Sequence, residues 1–475
     1  MPRTAGQILR KNRLRRELRG GRCVKEKPDG PPARKNIDGR LYKKDDRMKK
    51  DARYTAAQAL LRMESADAYS NLTIDSLIEK NGLDAREGAF AAALFYTVLE
   101  RRLTIDHVLA AYCARGLGSL SKPVLQTLRL GVCQLVWMDG VDDYAAVSES
   151  VNLTRALGCA KASGFVNGVL RAFLRAGKAV LPVKGGAAEQ LSVEYSCPVW
   201  LVEAWLSAYG EAAALRVLRA SLGRPPLYLR ANTLRASARQ LCERLAAEGV
   251  DALPAEPPAG CLLARGRVEP ESLASFGEGL FHVQDRASQL CAAALGALPG
   301  ERVLDVCAAP GGKSFTIAEH MQNRGELVAR DLHEKRARMV QCGAKRLGLS
   351  IIQASAGDAA VYDASLGSFD RVLCDVPCSG FGVIRRKPEI KYKPQKSVEG
   401  LPEIQYKILK TSTHYLKSGG TLVYSTCTLL PAENEQVVRR LLEEADGAFD
   451  LVEQRTYTGG DADTDGFFVS VLKKR

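Results

Sequence analysis

The sequence predicts a multidomain protein: an all-α helical bundle, then a small α+β module, then an α/β domain built on a parallel sheet. Three observations predict this order. The chain has 475 residues, which is enough for about three domains. Apolar residues recur at three- and four-residue steps from residue 51 to about 178. After about residue 286, strand-like and helix-like segments alternate.

The composition restricts the class of protein. Hydrophobic residues make up 46% and charged residues 26%, as in globular proteins. No apolar run approaches the roughly 18 residues that span a bilayer, and no secretory signal is visible at the N-terminus. We therefore expect a cytoplasmic protein without membrane association. The thirteen cysteines include no CxxC pair, so we expect neither a metal site nor a disulfide framework.

Most of the net charge of +14 lies at the start of the chain. The first fifty residues contain 18 basic and 6 acidic side chains, which leaves 50 basic and 48 acidic side chains for the rest. Residues 1–48 lack periodicity and are predicted to be a disordered basic arm. Such an arm is typical of a segment that binds polyanions. A solvated extension and a misassigned start codon are the alternatives.

Residues 49–180 are predicted to form the helical bundle, because short polar or glycine-containing breaks separate their amphipathic segments. Residues 181–224 are predicted to be a helical linker that begins with a coil and continues with two helices. Residues 225–285 change to short mixed elements and are predicted to form the small α+β module. The helical segments of the bundle are RYTAAQALLRMES, REGAFAAALFYTVLERRLTIDHVLAAYC, SKPVLQTLRLGVCQLVWM and YAAVSESVNLTRALG.

Residues 286–475 are predicted to form the α/β domain. Its strand candidates are RVLDVCA, GELVARD, SIIQASA, FDRVLCDV and GGTLVYST. Strands separated by helices predict a parallel sheet with right-handed crossovers, and ligands bind at the carboxyl ends of such strands. Two of these strands run into a cysteine, Cys378 or Cys427. Either both thiols pack in the core, or the strand ends form a site where sulfur reacts.

The first strand of this domain leads into a glycine-rich turn, VLDVCAAPGGKS. A phosphate-binding loop would need glycine at Cys307, five positions before Gly312, and no GxGxxG is present. The next strand ends at Asp331, where related folds bind ribose hydroxyls, and Asp358 follows the third strand, where an adenine edge would lie. An aspartate at a strand end often only caps a helix. The ordered set nevertheless predicts a nucleoside cofactor without phosphates at the turn, S-adenosylmethionine.

Three motifs in this order closely resemble the Nol/Nop/Sun family of RNA cytosine-C5 methyltransferases: VLDVCAAPGGKS, DVPCSGFGVIRRKPEIK and YSTCTL. The front half, with REGAFAAALFYTVLERR and GFVNGVLRAFLR, is similar to the NusB-like domain of the bacterial Sun/Fmu branch, which acts on 16S ribosomal RNA. The closing segment DGFFVSVLKK also resembles the family, whose final strand runs antiparallel. The resemblance covers about residues 52–475 and leaves the basic arm outside.

The resemblance implies a NusB-like RNA-binding bundle, a small RNA-binding α+β module and a Rossmann-like class I methyltransferase domain. It implies that Cys427 is the nucleophile and that Cys378 is the family's second thiol. Asp375 is shared between the catalytic and the cofactor-binding sets. The cofactor-binding residues it implies are Cys307, Ala308, Ala309, Pro310, Gly311, Gly312, Lys313, Asp331, Asp358 and Asp375.

The proposed chemistry explains why two thiols are useful. Carbon 5 of cytosine becomes nucleophilic once a thiolate adds to carbon 6, which is covalent catalysis. Lys313 is a candidate cation for stabilising that thiolate, and Asp375 could hold the proton on N3. Cys378 is the candidate for releasing the product. A methyltransferase acting on amino groups would typically carry an aromatic residue after Pro377, so the cysteine there favours carbon as the acceptor.

The reaction requires an unpaired or extruded cytosine, because base pairing hides carbon 6. The predicted partner is RNA, with 16S ribosomal RNA as the preferred candidate, and the protein is expected to be a monomer. Another RNA (tRNA or 23S ribosomal RNA) and a non-catalytic RNA-binding scaffold are the alternatives. The loop 382–393 could meet phosphates, or it could simply be solvated. Its predicted RNA-binding residues are Arg385, Arg386, Lys387, Lys391 and Lys393.

Overall fold

The computed structural model describes residues 50–64, 70–459 and 464–475, and the predicted basic arm lies outside these residues. Residues Lys50–Arg475 form one compact unit. Among the described residues, no helix combines the length and the apolarity that crossing a bilayer requires.

The front of this unit is the predicted helical bundle. Three of its helices begin after an aspartate whose carboxylate accepts a backbone N–H, which satisfies the first turn: Asp51, Asp84 and Asp142. The second helix was not predicted, because only two of its apolar residues, Ile74 and Leu77, are fully buried. The described helices are α1 (Ala52–Met63), α2 (Ser70–Asn81), α3 (Ala85–Ala110), α4 (Lys122–Trp137), α5 (Asp143–Ala156) and α6 (Ser163–Arg175).

Two helices follow the bundle, α7 (Ala187–Glu194) and α8 (Val199–Ala220). Helix α8 is interrupted at Gly210, whose φ of 73° is left-handed, so the two predicted helical segments meet there at a kink. Helix α7 begins inside the stretch that the sequence predicted to be coil. The core around α8 also contains Phe381 and Leu429 of the α/β domain, so this region packs against the loops that follow the strands.

The small module is a four-stranded antiparallel sheet in the order β2-β3-β1-β4. Its apolar side packs on helix α9. From β1, Arg230 reaches the α/β domain and forms a buried ion pair with Glu319, with Nε and Oε2 2.9 Å apart. The elements are β1 (Leu227–Ala231), α9 (Ala238–Ala247), β2 (Ala252–Pro254), β3 (Cys261–Ala264), α10 (Ala274–Gly277) and β4 (Phe281–Val283).

The α/β domain contains a seven-stranded sheet in the order β10-β11-β9-β8-β5-β6-β7. The five predicted strands are parallel, and the closing strand is antiparallel, as predicted. The edge strand β10 was not predicted, because most of its side chains are exposed, including Leu451 and Val452, so polar and apolar residues do not alternate along it. The strands are β5 (Arg302–Asp305), β6 (Glu326–Asp331), β7 (Ile352–Ala356), β8 (Phe369–Asp375), β9 (Leu416–Thr426), β10 (Phe449–Thr458) and β11 (Gly466–Lys474).

The helices of this domain cover both faces of the sheet, because its two cores lie on opposite sides of the strands. Strand β5 has β6 on one side and β8 on the other, so the strand order reverses at β5. Crevices at such a reversal bind ligands at the carboxyl ends of the strands. The helices are α11 (Arg286–Ala294), α12 (Gly312–His320), α13 (Glu334–Leu347), α14 (Leu401–Thr413) and α15 (Glu435–Glu444).

Candidate active site

The glycine-rich turn runs from Asp305, the last residue of β5, to Gly312, the first residue of α12. The buried Asp305 carboxylate accepts hydrogen bonds from Ser314 Oγ at 2.6 Å and from the backbone N–H of Cys307 at 3.4 Å. Burial raises the pKa of Asp305 to about 7. Gly311 has a φ of 113°, and a Cβ there would lie 2.3 Å from the Phe315 ring. The turn therefore requires glycine at this position.

The two aspartates predicted to bind the nucleoside lie at neighbouring strand ends. Asp331 pairs in register with Ala356 of β7, and Asp358 follows two residues later, so both lie at the same edge of the sheet. Asp331 is 5% exposed and its carboxylate accepts the N–H of His333 at 3.2 Å. Asp358 is exposed and caps the N–H of Ala360 at 2.9 Å.

Arg336 links this edge to the glycine-rich turn, and sequence reasoning did not find it. Its Nε lies 3.3 Å from Asp331 Oδ2, and its Nη2 donates to the carbonyl oxygen of Ala309 at 2.8 Å. Arg336 is the third residue of α13, where an arginine on an exposed face gives no sequence signal. One arginine thus fixes Asp331 against the turn.

Lys313 is a fixed cation rather than a solvated lysine. Its Nζ lies 2.7 Å from Asp375 Oδ2, and Ser425 Oγ donates to Asp375 Oδ1 at 2.8 Å. Burial on its own would lower the pKa of Lys313, but the attraction of the Asp375 carboxylate outweighs it and raises the pKa. The ammonium is therefore charged, and the pair lies between the glycine-rich turn and the ends of β8 and β9.

The two strand-end thiols are in contact. The sulfur atoms of Cys378 and Cys427 are 3.1 Å apart, and both residues are half-buried. The hydrogen bond from the Cys378 thiol lowers the pKa of Cys427, and the nearby Lys313 lowers it further. The same hydrogen bond, with burial, raises the pKa of Cys378 well above its ordinary value. Of the two thiols, Cys427 therefore has the lower pKa and Cys378 the higher.

A buried polar network holds the loop that carries Cys378. Glu433, which is 1% exposed, accepts hydrogen bonds from the N–H of Ser379 at 2.9 Å and from Gln405 Nε2 at 2.8 Å. Ser379 Oγ also lies 2.7 Å from Thr428 Oγ1. These groups come from separate segments of the chain, so sequence motifs could not associate them.

Two glycines join this loop to the end of β9 and the start of β11. The N–H of Gly382 donates to the carbonyl oxygen of Cys427 at 2.9 Å, and the N–H of Gly466 donates to the carbonyl oxygen of Gly382 at 2.8 Å. A Cβ at Gly382 would lie 1.9 Å from the Gly466 carbonyl oxygen. The close approach of these backbones therefore excludes a side chain and fixes Cys427 relative to the loop.

The predicted RNA-facing loop divides into different environments. Lys391 is fully buried, its Nζ donates to the carbonyl oxygen of Glu100 on α3 at 2.6 Å, and burial lowers its pKa to about 8. Lys391 therefore cannot meet RNA phosphates, which corrects the sequence-based expectation. The next residue, Tyr392, donates its hydroxyl to the carbonyl oxygen of Leu99 at 2.7 Å. This part of the loop is an attachment to the helical bundle.

The other cations of the loop differ from Lys391 in their surroundings. Arg386 forms ion pairs with Asp285 at 2.8 Å and with Asp465 at 2.5 Å, so its charge is already balanced. Lys393 is exposed, although its Nζ donates to the carbonyl oxygen of Ser379 at 2.9 Å. Lys387 is exposed and Arg385 is half-buried. The loop therefore offers RNA fewer available charges than its sequence indicates.

The contact between the thiols predicts an asymmetric reactivity. The rate at which iodoacetamide alkylates Cys427 should rise with pH in both proteins. We expect the midpoint pH of this rise to be higher in Cys378→Ala than in the wild type, because the variant lacks the hydrogen bond that stabilises the thiolate. Mass spectrometry of the Cys427 peptide would measure the rate, with the exposed Cys342 as an internal reference. An unchanged or lowered midpoint would contradict the assignment of donor and thiolate.

Comparison with known protein families covers the three regions separately. A family model described as 16S rRNA methyltransferase RsmB/F matches residues 292–473. The NusB family model matches residues 50–175. A model of the ferredoxin-like domain of RsmF/B-like methyltransferases matches residues 197–268. The matches follow the chain in the order bundle, small module and α/β domain.

Individual relatives match almost the whole chain. A probable ribosomal RNA small subunit methyltransferase B of Bacillus subtilis is 38% identical over 402 residues, covering 83% of this chain and 89% of that protein. A protein of the same description from Synechocystis is 33% identical and covers 89% of this chain and 99% of that protein.

Solved structures share the fold. The crystal structure of PH0851 has a TM-score of 0.75 at 24% identity and covers 89% of this chain and 98% of that chain. A methyltransferase homologue from Pyrococcus horikoshii has a TM-score of 0.55 at 27% identity and covers 61% of this chain and 100% of that chain.

Proposed function

Because the chain belongs to the RsmB/F family of 16S ribosomal RNA methyltransferases, we propose that it methylates carbon 5 of a cytosine in 16S ribosomal RNA through a covalent Cys427 adduct. The observation that carries the proposal is the pair of thiols 3.1 Å apart, of which Cys427 has the lowered pKa. An enzyme acting on an exocyclic amino group needs no such thiolate, because nitrogen attacks the methyl group directly.

The first step is addition of the Cys427 sulfur to carbon 6 of an unpaired cytosine. The π pair of the 5,6 double bond shifts into the bond between carbons 4 and 5, the π pair between carbon 4 and N3 moves onto N3, and N3 takes up a proton from solvent as the adduct forms. We assign to Asp375, which Lys313 and Ser425 hold in position, the role of keeping that proton on N3. Carbon 5 thereby becomes an enamine-like nucleophile.

In the second step, carbon 5 receives the methyl group. S-adenosylmethionine supplies an electrophilic methyl group when it is bound. The proton of carbon 5 then passes to solvent, its bonding pair re-forms the 5,6 double bond, and the bond between carbon 6 and sulfur breaks with its pair on the Cys427 sulfur. N3 returns its proton to solvent. Cys378 lies beside the leaving sulfur, with the two sulfur atoms 3.1 Å apart, so we assign the release step to Cys378.

The cofactor is assigned to the crevice where the strand order reverses. The residues proposed to hold it are the turn Cys307–Lys313, with Asp331, Asp358 and Asp375. The chemistry of this set fits a nucleoside, because two carboxylates at adjacent strand ends accept hydroxyl and amino hydrogen bonds and repel phosphates. The sharp Gly311 turn lets the backbone approach the ligand closely.

Asp331 tests this assignment. We expect Asp331→Ala to weaken binding of S-adenosylhomocysteine by about 1–3 kcal/mol, the cost of losing a buried polar contact. Isothermal titration calorimetry would measure the change, and Asp251→Ala, at an exposed aspartate of the small module, is the matched control. Tight binding of ATP without any binding of S-adenosylhomocysteine would overturn the cofactor assignment.

The RNA substrate can be tested in cells. Bisulfite sequencing of 16S ribosomal RNA from a strain that lacks the gene should reveal one cytosine that is no longer protected. The gene should restore protection, whereas the Cys427→Ala gene should not. If 16S ribosomal RNA were unchanged while a tRNA or 23S ribosomal RNA lost its protection, the chemistry would stand and the substrate would be reassigned.

A further inference from the structure

The helical bundle carries an open groove between α5 and α6. Its volume is about 840 Å³, and its lining residues extend from Asp143 to Arg155 on α5 and from Ser163 to Arg175 on α6. At 1.5 Å per residue, the groove follows the two helices for about 18 Å. The chemistry proposed above does not use this groove, since none of the thiols or cofactor residues lines it.

The groove contains three arginines without acidic partners. Arg171 and Arg175 form no ion pair or hydrogen bond among the described residues, and Arg155 donates only to the side-chain carbonyl of Asn152, at 3.2 Å. The single acid of the lining, Asp143, is already paired with Lys178, with Nζ and Oδ1 2.6 Å apart. The groove is therefore positively charged.

The groove arginines differ from Arg129 of the same bundle, whose charge is neutralised. Arg129, for comparison, lies in the interior and forms ion pairs with both Asp106, at 2.7 Å, and Glu64, at 2.9 Å. Unpaired guanidinium groups that line a concave surface are typical of a site for phosphates.

The groove also offers groups that recognise bases. Tyr144 is 74% exposed, although it is a large aromatic residue, so its ring is available for stacking. Asn167 has no hydrogen-bond partner among the described residues, and Asn152 keeps only the contacts with Arg155 and Glu149. An aromatic face beside cations and amide groups is the combination that binds unpaired nucleotides.

We propose that the groove between α5 and α6 binds a single-stranded segment of the RNA substrate at a distance from the target cytosine. The proposal rests on the proposed function, because it assumes an RNA substrate. A helix of a partner protein could pack on the apolar lining of the groove, Tyr144, Val147, Val151 and Leu174, but unless it were acidic it would leave the three guanidinium groups without acceptors. A duplex would keep its bases stacked and leave Tyr144 unused.

The groove gives the RNA substrate a second binding contact besides the active site. Two separate contacts on one RNA raise the effective concentration of the target cytosine at Cys427, provided that both can be reached together. The groove should therefore contribute to RNA affinity and to KM, and it should leave the chemical step unchanged.

The first test is the double variant Arg171→Ala/Arg175→Ala, measured with transcribed 16S ribosomal RNA. We expect weaker binding, a higher KM and an unchanged kcat at saturating RNA. If two phosphate contacts are lost, the slope of log K against log salt should fall in magnitude by about 1.4, at about 0.7 per phosphate for a single strand. Arg62→Ala/Arg86→Ala removes the same charge at exposed positions of the bundle outside the groove and is the matched control.

The second test separates stacking from charge. Tyr144→Ala should weaken binding of the same RNA about tenfold, as expected for the loss of one base-stacking contact, and Tyr144→Phe should not weaken it. With the unaltered protein, photocrosslinking of 4-thiouridine-containing RNA should label peptides of α5 or α6, so this result does not depend on the folding of any variant.

The outcomes separate this proposal from the proposed function. If the wild type methylates 16S ribosomal RNA while Arg171→Ala/Arg175→Ala keeps the same affinity, KM and salt slope, the groove proposal is overturned and the function stands. If the wild type shows no methylation but crosslinks through α5 or α6, the function fails and the groove remains an RNA site. If the variant loses binding only to assembled ribosomal subunits and not to free RNA, a protein occupies the groove and the proposal is overturned.

Discussion

Cys427→Ala is expected to abolish methylation and the covalent RNA–protein adduct while RNA binding persists. The variant lacks the only sulfur that the proposal places on carbon 6, so carbon 5 never becomes nucleophilic. A denaturing gel with radiolabelled RNA would measure the adduct, because only a covalent complex survives detergent. Cys342→Ala, at an exposed thiol on α13, should behave like the wild type.

Cys378→Ala is expected to fail in a different way. This variant keeps the attacking sulfur but lacks the thiol 3.1 Å away that assists release, so protein linked to RNA should accumulate. Adding Cys427→Ala to the variant should remove the shifted band, because the bond passes through the Cys427 sulfur. A band that persists in the double variant would reverse the two roles. Normal activity without adduct in both single variants would mean that the two cysteines only pack in the core.

Gly382→Ala is expected to reduce methylation about 100-fold or more. The new Cβ would lie 1.9 Å from the backbone oxygen of Gly466, which cannot move aside as a flexible side chain could. To relieve this clash, the loop must move away from the carbonyl oxygen of Cys427. A displacement of about 1 Å at a catalytic group lowers the reaction rate about 100-fold. Overpacking should also lower the free energy of unfolding by about 1–3 kcal/mol.

Gly400→Ala is the matched control for this experiment. Gly400 is exposed, has a φ of −84°, and a Cβ there meets no atom within 4 Å. We expect wild-type activity and an unchanged unfolding temperature. Thermal unfolding, kcat and the alkylation rate of Cys427 would be measured for both variants. Wild-type values in Gly382→Ala would show that the backbone contact does not position the nucleophile.

The sequence by itself determined the fold class and the location of the site. Alternation of strands and helices required a parallel sheet, and parallel strands all present their carboxyl ends at one edge. Cys378 and Cys427 follow strands and Asp331 ends one, so the sequence predicted that they lie near one another without any knowledge of side-chain contacts. The sequence also predicted two helical segments in the linker, and the structure joins them across the kink at Gly210.

The tertiary structure alone decided which of these groups are charged and which are available. Lys391 belongs to a strongly basic stretch of sequence, yet it is buried against a carbonyl oxygen of Glu100, 291 residues away along the chain. The thiols became unequal only when Lys313 and the Cys378 hydrogen bond were placed around Cys427. Sequence patterns report local periodicity and composition, whereas burial, ion pairing and pKa depend on neighbours that the fold brings from distant segments.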